Sequence, residues 1–199
     1  MKLSTALLVS VACTAAAGLL LAGCADSPDE NRLTFVITPD YNAYIQYVDA
    51  YLTRRCGSLD CHGQPGRAYR IFSREGFRDY TVLGPDGKPL LVSGQQPTAA
   101  GEQRANFQAL VGLEPEEMTR LMARQGENPN MLLFLRKPLK IERHKGGPAM
   151  AEEDPGYDCI KAWLNIPVVD GLGVPIEPAN RAKLSPNGVR ACAEATSFP

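Results

Sequence analysis

Two cysteines and a histidine stand close together near the middle of the first half of the chain. Cys56 and Cys61 are separated by four residues, and His62 and Gly63 follow directly. Two thiols followed at once by a histidine form the arrangement that attaches a c-type haem: each thiol adds across one porphyrin vinyl group, and the adjacent imidazole reaches the iron. The usual spacing between the thiols is two residues. The motif predicts haem c held by Cys56, Cys61 and His62 around a longer loop.

A haem iron in an electron-transfer protein needs a second axial ligand from elsewhere in the chain. The chain has one other histidine, His144, and the glycines that follow it, Gly146 and Gly147, let the backbone approach a flat macrocycle closely. We therefore expect His144 to be that ligand, which predicts a low-potential, low-spin centre. Met150 is the alternative, and its thioether would raise the potential. Three further methionines fit core packing better: Met118, Met122 and Met131.

An empty sixth position on the iron would instead permit ligand binding or peroxidase-like chemistry, so the sequence leaves enzymatic activity open. Three arginines follow the motif, at Arg67, Arg70 and Arg74. Arg67 and Arg70 are candidates to pair with the haem propionates, because guanidinium binds carboxylates in bidentate fashion. The other interpretation is a solvated basic stretch. Trp163 is expected to fill the core rather than to pack against the haem.

The N-terminus has the pattern of an export signal, with Lys2 as a positive start and an apolar segment over 6–22. Its last residues, Leu-Ala-Gly-Cys ending at Cys24, resemble the lipobox of bacterial lipoproteins, in which the cysteine is lipidated and becomes the first mature residue. That resemblance implies a signal peptide over 1–23 and a membrane anchor through the lipid on Cys24. Because Ala25 follows the cysteine, it implies the outer membrane of a bacterial cell envelope.

Export also bears on the remaining cysteines, since disulfides persist outside the cytoplasm. With Cys13 in the signal peptide, Cys24 lipidated and the haem motif accounted for, Cys159 and Cys192 remain. A disulfide between them is the economical interpretation, and a loop of that size would contribute about 3–4 kcal/mol in the chain-entropy model. Two separate buried thiols are the alternative.

The mature chain predicts a mostly α fold. Over 41–54, apolar residues recur at three- and four-residue steps, which indicates an amphipathic helix running into the haem motif. Thr38 is predicted as its cap, with Pro39 at the first helical position. A loop or small β-hairpin is predicted over 81–101, around a turn at 84–87. Further helices are predicted over about 102–111, 115–125 and 155–164, with a short one around Cys192.

The predicted organisation is a signal peptide over 1–23, a tether and extended segment over 24–38, and one domain over 39–199 with a proline-rich tail. Nothing after residue 24 approaches the roughly 18 apolar residues that a spanning helix needs. The formal net charge is −1, which gives no general electrostatic basis for binding nucleic acid. The sequence therefore predicts membrane contact through the lipid and no nucleic-acid partner.

Two patterns together resemble a class of cytochrome c-like bacterial lipoproteins, over about residues 40–165. One is the Cys56–Gly63 motif with its arginine-rich sequel. The other is His144 with its glycine pair, followed by Asp-Pro-Gly-Tyr at 154–157 and an aromatic-containing helix ending at Leu164. In cytochrome c-like domains that helix packs across the N-terminal helix leading to the haem motif. The resemblance implies a single cytochrome c-like domain with long loops.

Three functions remain open from the sequence. The leading one is a membrane-tethered monohaem electron carrier with an unidentified redox partner protein. The alternative is a haem-free lipoprotein of the same scaffold, in which Cys56 and Cys61 form a disulfide and the chain is a binding or structural module. The third is an enzyme, either a haem peroxidase or a subunit of a larger oxidoreductase. A zinc site is disfavoured because Cys61 and His62 are adjacent, and two adjacent side chains do not easily bind the same tetrahedral ion.

Overall fold

A computed structural model describes residues 35–79 and 96–197. The chain divides into a unit over Met1–Phe35 and a unit over Val36–Pro199, and the fold described below is that of the second unit. The predicted signal peptide over 1–23, the predicted lipidation site Cys24 and the predicted turn at 84–87 lie outside the described residues.

The predicted mostly α fold is confirmed. In the described residues, β pairing is limited to one isolated bridge between Val169 and Pro175. None of the described helices is long and apolar enough to cross a membrane. The α-helices are α1 Tyr41–Ala43, α2 Asp49–Cys56, α3 Ala100–Val111, α4 Pro115–Ala123, α5 Leu133–Arg136, α6 Pro155–Leu164 and α7 Pro186–Ser197. A π-helical segment, Tyr44–Val48, joins α1 to α2, and short 3₁₀ turns cover Pro129–Met131 and Pro178–Asn180.

The helix that leads into the Cys56–Gly63 motif begins later than predicted. The carboxylate of Asp40 accepts a hydrogen bond of 2.7 Å from the backbone amide of Ala43 and is the N-cap. Thr38 and Pro39 therefore precede the helix, because the cap that satisfies the free amides is two residues downstream of Thr38. From Tyr41 the chain is helical without a break to Cys56, as the apolar periodicity predicts.

Helix α6 packs against this entry helix. Trp163 is fully buried, and its indole nitrogen donates a hydrogen bond of 2.8 Å to the carbonyl of Asp40. Its ring lies 5.5 Å from that of Tyr44, measured between centroids. The close approach requires Gly156, since a Cβ there would lie 2.0 Å from the Tyr51 ring. Trp163 therefore fills the core, as expected.

Helix α7 packs on α6, and the two are joined by a disulfide between Cys159 and Cys192. Both cysteines are buried, in a core shared by the entry helix and helices α3 to α7. The disulfide is the pairing that the cysteine count predicts. Helix α7 is longer than the short helix expected around Cys192.

Candidate haem site

The four-residue loop between the motif cysteines is a tight turn closed by main-chain hydrogen bonds. Helix α2 ends at Cys56, whose carbonyl accepts from the amide of His62 at 2.9 Å. The carbonyl of Ser58 accepts from the amides of Cys61 and Gly63, at 3.0 and 2.9 Å. The longer spacing is therefore absorbed inside the turn, and His62 is held directly against the end of the helix.

Three glycines meet behind this turn: Gly57, Gly63 and Gly76. A Cβ on Gly63 would lie 2.0 Å from the carbonyl oxygen of Gly57 and 2.8 Å from the Cα of Gly76. The same carbonyl accepts a hydrogen bond from the hydroxyl of Ser73, and the amide of Phe77 donates to the carbonyl of Gly63 at 2.8 Å. Backbone therefore packs on backbone, and the glycine after His62 has a steric reason to be there.

His62 is oriented by the segment that follows the turn. Its ring nitrogen Nδ1 makes a 2.7 Å hydrogen bond with the carbonyl of Tyr69, and its carbonyl accepts from the amide of Ile71 at 2.9 Å. The Tyr69 ring lies 5.1 Å from the imidazole. Partial burial lowers the pKa of His62; the carbonyl of Tyr69 opposes that, and the charges of His144 and Arg67 add to it. The net effect favours the neutral imidazole, which is the form that binds metal.

His144 lies in the loop between α5 and α6. Its Nδ1 makes a 2.7 Å hydrogen bond with the carbonyl of Gly147, while the amide of Gly147 donates back to the carbonyl of His144 at 3.2 Å. Gly147 has a φ of +77°, in the region that favours glycine. Gly146 lies close to the ring, because a Cβ there would be 3.2 Å from Cε1 of His144. The glycine pair thus shapes the turn that orients this imidazole.

The structure brings the two histidines together, 82 positions apart in sequence (144 − 62). Their rings are nearly parallel, at 8°, with centroids 6.2 Å apart. Nδ1 of each ring is engaged by a backbone carbonyl, and within the described part of the chain Nε2 of neither ring has a hydrogen-bond partner. Metal-bound histidines characteristically donate their other ring N–H to a carbonyl or carboxylate in this way.

The spacing of the rings also fits a shared metal ion. Imidazole nitrogen binds metals at roughly 2 Å, so one ion between two Nε2 atoms would separate the ring centroids by about 6 Å. Across residues 35–79 and 96–197, no group of three or more histidine, cysteine or carboxylate side chains is placed to hold a metal. Two protein ligands are nevertheless what a six-coordinate haem iron takes, since the porphyrin fills the other positions.

Both motif cysteines are free thiols and half-buried. Burial raises the pKa of Cys56 to about 12; the neighbouring Cys61 adds to the shift and Arg55 opposes it. At neutral pH Cys56 is therefore a protonated thiol, not a thiolate. The two sulfurs are not bonded to each other, and the disulfide found in the described residues joins Cys159 to Cys192. The thiols thus remain available for thioether bonds.

The other predicted site residues lie as follows. Arg67 is exposed and close enough to lower the pKa of His62. The guanidinium of Arg70 lies over the ring of Phe72, 4.5 Å from its centroid. Met150 is buried in the hydrophobic core, so it is His144 that stands beside His62. The propionate role of the two arginines stays a prediction.

A buried polar cluster beside the site was not predicted from the sequence. The carboxylate of Asp49, in α2, is 1% exposed and accepts hydrogen bonds from the side chains of Tyr44, Thr98 and Asn106. The side chain of Asn106 also accepts a hydrogen bond from the amide of Phe72 and donates one to its carbonyl, which ties α3 to the segment that follows the motif, here called the motif segment. The sequence feature that indicates this cluster is Asp49 itself, a charged residue on the buried face of the entry helix.

The sequence also did not indicate that Tyr69 belongs to the site. Its hydroxyl is buried, and among the described residues it has no hydrogen-bond partner. Burial raises its pKa, and the nearby groups of Cys56 and Asp49 add to the rise. Tyr69 therefore lies beside the ring of His62 and near Asp49, with an unused donor that a group bound at the site would be able to satisfy.

Comparison with models of known protein families, with curated proteins and with solved structures found no match to this chain.

Proposed function

We propose that this protein is a monohaem c-type electron carrier. Cys56 and Cys61 would hold the haem through thioether bonds, and His62 and His144 would bind its iron. The observation that carries the proposal is the pair of nearly parallel imidazoles with centroids 6.2 Å apart, each held through Nδ1 by a backbone carbonyl.

A bound haem supplies one-electron redox chemistry, and the chain sets how it is held and tuned. The carbonyls of Tyr69 and Gly147 fix the tautomer and direction of the two imidazoles, which leaves the Nε2 lone pairs for the metal. Rigid ligand loops favour electron transfer because little has to move when the charge changes. Two imidazole ligands also favour a lower potential than an imidazole and a thioether would give.

Electron transfer is favoured over peroxidase chemistry because two histidines are placed to bind the iron. A haem iron bound by both His62 and His144 would have no open position for a peroxide. The haem-free alternative with a Cys56–Cys61 disulfide has less support, since those sulfurs are separate in the structure while Cys159 and Cys192 are joined.

The cellular setting is part of the proposal. The lipobox-like ending at Cys24 supports a lipid-anchored protein of the bacterial cell envelope, held at the outer membrane. Its partner is then a redox protein outside the cytoplasm, which is also where bacterial haem attachment takes place. The near-neutral net charge gives no reason to invoke nucleic acid.

The proposal is tested by expressing the full chain in a bacterium that assembles c-type cytochromes and recording the spectrum of the reduced protein in alkaline pyridine. We expect a haem with two thioether links. Cys56→Ala and Cys61→Ala should each shift the spectrum to that of a haem with one link. Cys192→Ser is the matched control, because it removes a cysteine outside the motif and should leave the pyridine spectrum unchanged. A colourless protein with the mass of the bare polypeptide would refute the proposal.

A further inference from the structure

Two neighbouring arginines at the end of α2 reach to different parts of the fold. Both Arg54 and Arg55 are exposed, and each donates to a backbone carbonyl far away in sequence. Arg54 Nη1 donates to the carbonyl of Thr196 in α7 at 2.6 Å. Arg55 Nε donates to the carbonyl of Ala149 at 2.8 Å. The pair thus has matching chemistry and exposure but different targets.

The target of Arg55 belongs to the loop that carries His144. Ala149 lies two residues after Gly147, whose carbonyl orients the His144 imidazole. Within the described parts of the chain, the Arg55 bond is the one hydrogen bond that links the loop over 137–150 to the helix α2. The amide of Ala149 also donates to the carbonyl of Pro138 at 3.1 Å, so this point closes the base of the loop as well.

His62 is also held by the C-terminal end of α2. Arg55 is followed by Cys56, whose carbonyl accepts from the amide of His62 at 2.9 Å. The last turn of α2 therefore holds His62 through its main chain and the His144 loop through the side chain of Arg55. A guanidinium–carbonyl bond is directional, because the donor geometry of arginine is planar and fixed.

We propose that Arg55 is a positioning residue that sets the separation of His144 from His62. The inference rests on the proposed function, since that separation matters when the two imidazoles share one iron. Loss of the Arg55 bond should leave haem attachment intact and let His144 leave the iron more often.

The test compares Arg55→Met with Arg54→Met in the full-length haem protein. Carbon monoxide binds to ferrous iron only after an axial ligand leaves, so its binding rate at saturating gas reports the loss of His144. We expect Arg55→Met to raise this rate about fivefold, the factor that one ordinary hydrogen bond is worth. Arg54→Met should match the wild-type rate. Equal rates in all three proteins would overturn the inference, as would an equal increase in both variants.

A second measurement decides the inference even if the protein carries no haem. Hydrogen exchange, followed by mass spectrometry, should become faster over 144–150 in Arg55→Met and stay unchanged there in Arg54→Met. Arg54→Met should instead speed exchange near the end of α7. Unchanged protection of 144–150 in Arg55→Met would contradict the positioning role. A colourless protein with the expected exchange pattern would refute the proposed function and leave the structural role of Arg55 standing.

Discussion

The two loops that carry histidines are held in different ways. The motif loop over 56–77 is fixed by main-chain hydrogen bonds and by glycine backbones in direct contact. The loop over 137–150 also has main-chain hydrogen bonds, such as that from Ala149 to Pro138 at 3.1 Å. Exposed side chains add to these, including the Arg55 bond to helix α2 and an ion pair between Lys137 and Glu142 at 3.0 Å. Backbone packing leaves one conformation, whereas exposed side-chain contacts are weaker and screened by salt. Each imidazole is therefore oriented by its own turn, but the link between the His144 loop and helix α2 depends on an exposed side chain.

The ion pairs next to the two loops also differ, since one is buried and the other is exposed to solvent. Arg78 and Glu102 form a buried, bidentate pair at 2.7 and 2.8 Å, and their side chains are 2% and 0% exposed. Glu102 also accepts from the amides of Asp79 and Ala99, so it ties the end of the motif segment to the start of α3. Lys137 and Glu142 are exposed by 36% and 43%. Breaking the first pair removes an interaction between two buried charges, whereas breaking the second removes one between charges exposed to solvent.

The largest expected effect comes from Gly63→Ala. The new Cβ would lie 2.0 Å from the carbonyl oxygen of Gly57, and rigid backbone on both sides cannot move away. We expect a loss of at least about 4 kcal/mol in the free energy of unfolding, measured in urea, together with loss of the haem that we propose. Gly171→Ala is the control, because nothing lies within 4 Å of its Cβ position. A Gly63→Ala protein as stable as that control would mean that the motif loop is not locked.

Glu102→Gln should have the next largest effect. It removes the carboxylate charge from the buried pair with Arg78, and removing one partner of a buried ion pair typically costs about 3–5 kcal/mol in unfolding free energy. Urea denaturation at neutral pH measures this. A change below about 1 kcal/mol would show that the buried pair does not anchor the motif segment.

The same carboxylate predicts a pH dependence. Burial raises the pKa of Glu102, but hydrogen bonds from Arg78 and from the amides of Asp79 and Ala99 outweigh it, so the folded-state pKa lies below the ordinary value. Its stabilisation is therefore complete above the unfolded-state pKa, near 4.3, and is lost as the pH falls through the folded-state pKa. The stability difference between wild type and Glu102→Gln should shrink on acidification below about pH 4. A constant difference down to pH 2 would contradict the assignment.

Glu142→Gln should have the smallest effect. The side chain is exposed, and Lys137 and Arg136 both remain solvated when it is neutralised. We expect no measurable change in urea stability but faster hydrogen exchange over 137–147. Raising the salt concentration should produce the same change in the wild-type protein and none over 56–77. Equal salt sensitivity of the two loops would remove the contrast between them.

The parts of the fold that sequence patterns predict are those set by local chemistry. Helix α6 spans Pro155–Leu164 as predicted, because a proline start and apolar periodicity are both local signals. The cap at Asp40 was missed since Thr38-Pro39 presents an equally good local signal two residues earlier. The glycine contact behind His62 and the buried Arg78–Glu102 pair depend on segments that meet only in three dimensions.

In the candidate site too, the features set by local sequence are predictable and those set by tertiary contacts are not. Cys56, Cys61 and His62 lie within one short segment of the sequence, so a local motif is enough to predict a haem-attachment site there. The glycines beside His144 pointed to the second imidazole, but the carbonyls that orient the two rings come from Tyr69 and Gly147 and depend on the turns that follow each histidine. No residue pattern specifies the distance between two loops.

The central claim, that His62 and His144 share one iron, is tested most directly by electron paramagnetic resonance of the ferric full-length protein. Two imidazole ligands make the iron low-spin, and ring planes that are nearly parallel, as the 8° angle here is, give a rhombic spectrum with three resolved features. We predict that spectrum for the wild-type protein and its loss in His144→Ala. A high-spin spectrum in the wild type, or a low-spin spectrum that His144→Ala leaves unchanged, would contradict the account.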